Sequence, residues 1–323
     1  MQRKIIILLL LICVGMFTLL MILENNIDIP ILQKNINVDS YVKTITDYKK
    51  SGDENYLAQK YDEAISDYSH VLELDPENAL VYEDRGNAYI KVGKYDEATS
   101  DYKHSLELNS SNELLQQKTQ NLQKAQEYYD KGEEYLKNLN WKEAINEYNK
   151  TIQLAPYYAE AYVGRGKAYF WQLDPEEWDR VVLTEYSRAM EINPKCVPAY
   201  IGRGWLYYNQ HKYELAISDF TYAVELEPDN IKAYEGRAFV YSAYDHKKDK
   251  SYLDKAMADY NKLAILDPDN FVYHHSLGKI YYNKGEYDKA IEQYKISIKL
   301  SNNPNAEKDE IEEAEIAKKM HGY

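Results

Sequence analysis

The 323-residue chain reads as an all-α protein, a stack of helical hairpins behind one N-terminal apolar segment. Three observations predict this. First, a block of eight residues recurs, as "YEDRGNAY" at 82–89, "YVGRGKAY" at 162–169, "YIGRGWLY" at 200–207 and "YEGRAFVY" at 234–241. A second block follows each copy, for example "KYELAISDFTYAVELEP" at 212–228. Second, both blocks place aromatic or small residues at i, i+4 and i+7: Tyr200, Gly204, Tyr207 and then Ala216, Phe220, Ala223. That spacing lines one face of a helix. Third, prolines punctuate the ends of the units at Pro76, Pro156, Pro194, Pro228 and Pro268, where a helix must stop. Self-similarity at a fixed period is the mark of a repeat array.

The N-terminal segment comes first in the chain. Ile5 to Leu23 is 19 residues without a charge. As a helix it is about 28 Å long, close to the roughly 30 Å hydrocarbon core of a bilayer. Arg3 and Lys4 precede it, and Glu24 and Asp28 follow it. The bias of cations to the cytoplasmic flank puts the N-terminus inside and the repeats on the far side, periplasmic or extracellular. The alternative is a cleaved signal peptide and a secreted product. Signal peptides have shorter apolar cores and a small-residue cleavage site, and Met21-Ile22-Leu23-Glu24 offers none. Residues 24–44 read as a tether.

Beyond the tether seven units are legible, at 45–78, 79–112, 125–158, 159–196, 197–230, 231–270 and 271–304. Each is a helix A, a turn and a helix B. Their succession of aromatic, small residue, Tyr, Ala, Phe/Tyr, Ala and Pro resembles the tetratricopeptide repeat family. The resemblance implies a right-handed superhelical solenoid with a concave, ligand-binding face. Residues 113–124 interrupt the array as an extra helical stretch, capped by Ser110–Asn112, where the stack is expected to bend or split. Units four and six carry insertions in the A–B turn. Residues 305–323 read as a polar capping helix and tail, which terminal repeats need for solubility. Asn55 replaces the expected tyrosine in unit one, so that unit should pack less well.

The arginine of the recurring block invites a phosphate-binding reading, but Gly204 lies mid-helix, away from the free amides of a helix start. A structural role fits better. Arginine in helix A goes with an acid in helix B: Arg85 with Asp101, Arg165 with Glu185, Arg203 with Asp219, Arg237 with Asp259. Unit seven has Leu277 and, correspondingly, Gln293. An Arg–carboxylate pair across each hairpin is expected.

For a binding face, the outward places of helix A in units four to six present Val163, Phe170, Trp171, Ile201, Trp205, Tyr208 and Phe239. Gly164, Gly202 and Gly236 recur among them and should leave floor space. Units two and three offer Glu83, Asp84, Asp130 and Glu133. The expected partner is a protein or peptide with apolar anchors and basic flanks. The alternative for the aromatics is plain packing between helices or under the insertions. The family's carboxylate clamp is incomplete, because Asp53 follows Lys49 where an Asn is needed.

Other functions find little support in the residues. The formal net charge of −14 opposes nucleic-acid binding. Of two cysteines, Cys13 lies in the apolar run, so Cys196 has no disulfide partner in the soluble part. No nucleophile set, phosphate loop or metal spacing occurs, and His274-His275 reads as surface. The expected protein is therefore a non-enzymatic, membrane-tethered scaffold without a cofactor. A self-associating assembly protein of an envelope or secretion complex is the alternative.

Overall fold

The computed structural model describes residues 38–244, 251–301, 303 and 308–321. The expected membrane span at 5–23, residues 24–37 of the tether and the insertion at 245–250 lie outside these. Among the described residues no helix is long and apolar enough to cross a membrane.

The described chain is helical almost throughout. The first two hairpins are α1 (Val38–Leu57) with α2 (Tyr61–Leu74), and α3 (Ala79–Lys91) with α4 (Tyr95–Leu108). The long α5 (Glu113–Lys137) is followed by α6 (Trp141–Leu154). Next come α7 (Ala159–Gln172), a 3₁₀ turn at Pro175–Glu177 and α8 (Val182–Ile192). The hairpins α9 (Val197–Asn209) with α10 (Tyr213–Leu226) and α11 (Ile231–Ala243) with α12 (Ser251–Leu266) follow. Last are α13 (Phe271–Asn283), α14 (Tyr287–Ser301) and α15 (Lys308–His321). The helix α1 begins inside the expected tether, and the Tyr41 hydroxyl, bonded to the Leu74 carbonyl on α2, ties that early turn down.

Two compact bodies result: residues up to Lys131 with Asn149–Tyr158, and Gly132–Tyr148 with Ala159 onward. The division falls inside the third repeat, whereas α5 runs through 113–124 unbroken. Asn112 starts that helix, its side chain accepting from the Leu115 amide at 3.0 Å.

Pro-x-Asn makes three of the joints between repeats. Proline stops helix B, and the Asn two residues on caps the next helix A. Asn78 accepts from the Val81 amide at 3.3 Å, Asn230 from Ala233 at 3.0 Å and Asn270 from Val272 at 3.2 Å. Within repeats the A–B turn needs a left-handed residue. Gly93 and Gly285 supply it at φ 76° and 79° without a Cβ penalty.

Inside four of the hairpins lies an Arg–carboxylate fork. Arg203 donates from Nε and Nη2 to the two oxygens of Asp219, both at 2.8 Å. Arg237 does the same to Asp259 at 2.8 Å, and Arg165 to Glu185 at 3.0 Å. In the first body Arg85 grips Asp101 at 2.8 Å. The bond from Asp219 lifts the Arg203 pKa, against burial. Tyrosines sandwich these guanidiniums: the Arg203 Cζ is 5.7 Å from the Tyr200 ring centre and 5.6 Å from Tyr207. The third arm reaches the preceding helix B, from Arg85 Nη1 to Ser69 at 3.0 Å and from Arg237 Nη1 to Thr221 at 3.3 Å. Unit one lacks the arginine, and there Ser51 and Asn55 donate to Asp67 at 2.7 and 2.9 Å. Asn55 thus takes part in the substitute for the fork.

The recurring glycines serve close packing. The buried ring of each helix B is held between its own helix A and the next one. Tyr186 sits between Gly166 and Gly202, and Phe220 between Gly204 and Gly236. A Cβ on Gly202 would stand 2.6 Å from Tyr186 Cε1. The floor space expected at Gly164, Gly202 and Gly236 is therefore filled from beneath by Tyr148, Tyr186 and Phe220.

Candidate partner-binding site

A cavity of about 1350 Å³ opens in the second body. The helix α7 contributes Lys167, Phe170 and Trp171, and α9 contributes Ile201, Gly202 and Trp205. Trp178, from the unit-four insertion, and the joint Leu226–Lys232 complete much of the wall. Helix A residues twelve and thirteen places into a unit point away from its partner helix, which is why Phe170 and Trp171 reach this surface.

The aromatic wall is organised by stacking. The Phe170 ring centre lies 4.5 Å from Trp178 at 23° and 5.3 Å from Trp171 at 87°. Trp171 also stacks on Trp141 at 6.1 Å and 18°, yet remains 65% exposed. Such offset and edge-on pairs follow the ring quadrupoles. The insertion covers one side of Phe170, so packing under an insertion and cavity lining coexist at this residue.

The expected face divides into three. Phe170, Trp171, Ile201 and Trp205 line the cavity together. Tyr208 and Phe239 pack against Trp205 at 5.9 and 5.6 Å and form an aromatic cluster beside the lining. Phe239 stays 43% exposed there. Val163 is a correction: at 2% exposure it belongs to the core. The bare Cα of Gly164 lets α7 settle onto Tyr148, and that approach covers its neighbour.

Two further residues stand on the lining. Lys167 stands nine places into its unit, an outward place, as a cation among aromatics. Trp178 lies in an insertion, where helical spacing gives no guide. Burial lowers the Lys167 pKa and Lys232 adds to that, while Glu133 opposes it. Burial also raises the Tyr186 hydroxyl.

The four carboxylates expected to meet basic flanks are already engaged. Glu83 accepts from Asn112 at 3.0 Å, and Asp84 pairs with Lys49 at 3.1 Å. Asp130 accepts from Gln126 at 2.8 Å, and Glu133 from the Tyr148 hydroxyl at 2.6 Å. His274 bonds Gln293 at 2.8 Å, and among the described residues no group of His, Cys, Asp or Glu is placed to hold a metal.

Comparison with known sequences identifies part of the array. Residues 52–93 match the model described as TPR repeat. Residues 79–112, 197–230 and 271–304 match the tetratricopeptide repeat models. Those stretches are tetratricopeptide repeats. No curated protein matches the sequence. Among solved structures, this repeat protein is similar to a tetratricopeptide repeat protein from Parabacteroides merdae ATCC 43184. They are 19% identical over 85% of this chain and 98% of that one, with a TM-score of 0.40. MamA from Desulfovibrio magneticus RS-1 is 20% identical over 57% of this chain and 98% of that one, with a TM-score of 0.46. YrrB, described as a TPR protein with an unusual peptide-binding site, is 22% identical over 65% and 96%, with a TM-score of 0.37.

Proposed function

We propose that this chain is a membrane-tethered scaffold that holds a protein partner through the aromatic cavity of its second body. The observation that carries the reading is the joint exposure of Trp171 with the cavity formed by Phe170, Trp178, Ile201 and Trp205. Aromatic residues that stay open in a well-packed protein are the usual anchors of a binding face. The cavity exceeds the roughly 300–1,000 Å³ of small-ligand pockets, which favours a polypeptide segment as occupant. The tether is supported by the charge-free run from Ile5 to Leu23 and by its cationic flank, with the repeats on the far side of the membrane.

The test is capture of partners by the full-length chain from extracts of the source cells. A Phe170→Ala, Trp205→Ala variant that retains its helical circular dichroism serves as control. A partner held by the first and lost by the second supports the reading; a partner held equally by both refutes it. Resistance of the full-length chain to alkaline extraction from membranes checks the tether, and release into the soluble fraction refutes it.

A further inference from the structure

The charges around the cavity point to the polarity of the partner. Lys167 is half-buried on its wall and makes no hydrogen bond or ion pair among the described residues. Lys232, exposed at the start of α11, has none either. Of the carboxylates on the same lining, Asp229 pairs with Lys262 at 2.9 Å, and Glu227 keeps its charge while accepting from the Asn230 amide at 2.6 Å. The Trp178 indole nitrogen is covered and has no acceptor. The covered indole is a donor without acceptor capacity, and so are the two lysines beside it. Glu133 attracts Lys167 from beyond contact range, and a half-buried cation without a direct partner is costly, so an anion brought to it is correspondingly favoured.

Geometry adds a pattern. The two lysines stand on α7 and α11, and α9 lies between those helices. Packed helices are about 8–10 Å apart, so a segment that reaches both lysines must cross the Ile201–Trp205 face. Both lysines lie on one open wall, which suits a segment running through the cavity.

We propose that the cavity binds an internal acidic and aromatic segment of a partner protein. One side-chain carboxylate sits on Lys167, apolar side chains sit on the Phe170–Trp205 wall, and a second acid meets Lys232. At the extended rise of about 3.3 Å per residue, with the lysine stems reaching inward, the two acids are roughly three to six residues apart. This reverses the basic flanks expected from sequence. It rests on the cavity being the partner site, and the experiment separates the two claims.

A displayed library of random 12-residue segments, fused at both ends, is selected on the full-length chain in detergent micelles. Parallel selections use Lys167→Met, Lys232→Met, Lys167→Arg and Trp205→Ala variants, each checked by circular dichroism. Wild type should enrich aromatic segments carrying spaced Asp or Glu. The methionine variants should keep the aromatics and lose the acids, and Lys167→Arg should restore them. A selected segment should bind Lys167→Met about tenfold more weakly, the scale of one charge-assisted contact, and bind wild type more weakly as salt rises. Enrichment of Lys or Arg, or acid enrichment unchanged by Lys167→Met, overturns the proposal. If Trp205→Ala then still abolishes selection, the cavity reading survives without it. Selection that is absent, or indifferent to Trp205→Ala, overturns both.

Discussion

Replacing Gly202 by alanine should destabilise the second body by about 1–2 kcal/mol, although alanine is the better helix former. The new Cβ would stand 2.6 Å from Tyr186 Cε1 and 2.7 Å from Cζ. The shorter distance falls about 0.8 Å below the 3.4 Å at which ordinary contact begins. Tyr186 is 2% exposed and its ring is wedged between Gly166 and Gly202, so it cannot retreat from the methyl without displacing a helix. A contact this short falls in the upper part of the usual overpacking range, about 2–3 kcal/mol, against a propensity gain of about 1 kcal/mol. Urea unfolding followed by circular dichroism measures the difference. A Tyr186→Leu background provides the control, because it removes the ring that the methyl meets. Tyr186→Leu will cost stability by itself, but in that background Gly202→Ala should become neutral or favourable. A single variant as stable as wild type, or a cost unchanged in the Tyr186→Leu background, refutes the reasoning. It would mean that the glycine leaves room after all.

Arg203→Met should cost about 2–3 kcal/mol, since it strands a carboxylate that is only 8% exposed; Asp219→Asn in the same chain should recover part of that, as a double-mutant cycle of unfolding free energies will read. Burial pushes the Cys196 thiol up to about 12, which leaves a thiolate fraction on the order of 10⁻⁴ at pH 8. Peptide mapping by mass spectrometry should find Cys196 alkylated only after denaturant is added. Lys167→Met should stabilise the fold by about 0.5–1 kcal/mol at pH 7 by removing a half-buried unpaired cation. The folded-state pKa lies below the ordinary 10.5, so the wild-type penalty is full at neutral pH and disappears as pH rises through that value. A stability gap undiminished at pH 11 would refute the assignment.

The repeat can be read from the chain because its signals are local and mutually consistent. Each unit repeats small and aromatic residues at helical spacing, and each of the four arginines in helix A has its acid just before the buried ring of helix B. The fork at Arg203 and Asp219 needs nothing from outside one hairpin. What lies between units is harder to see. The third arm of Arg237 reaches Thr221 on the preceding helix, and Gly202 answers to Tyr186 of the preceding unit. A pattern read within one unit assigns such a glycine to open space, because the ring that fills it belongs to the neighbour. The run from Glu113 to Lys137 shows the same effect at a larger scale. Its helical pattern is plain, but where the chain divides depends on contacts made by distant segments.

The cavity joins both kinds of information. Phe170, Ile201 and Trp205 are legible as outward places of helix A, while Trp178 comes from an insertion with no period to follow. The charge balance escapes the sequence for a related reason. Counting Glu83, Asp84, Asp130 and Glu133 as an acidic surface assumes that they face solvent unpaired, yet each has a partner elsewhere in its own body. What governs recognition is the set of groups left unsatisfied after folding. On this wall the covered group without a partner, the Trp178 indole nitrogen, is a donor, and two lysines stand beside it. Lys167 is therefore the decisive residue: a fold that gains stability when it is removed, and a site that loses its acidic ligand with it, would together mark a charge held in place for binding. If its removal instead cost stability and left binding intact, Lys167 would be a packing residue and the cavity a purely apolar groove.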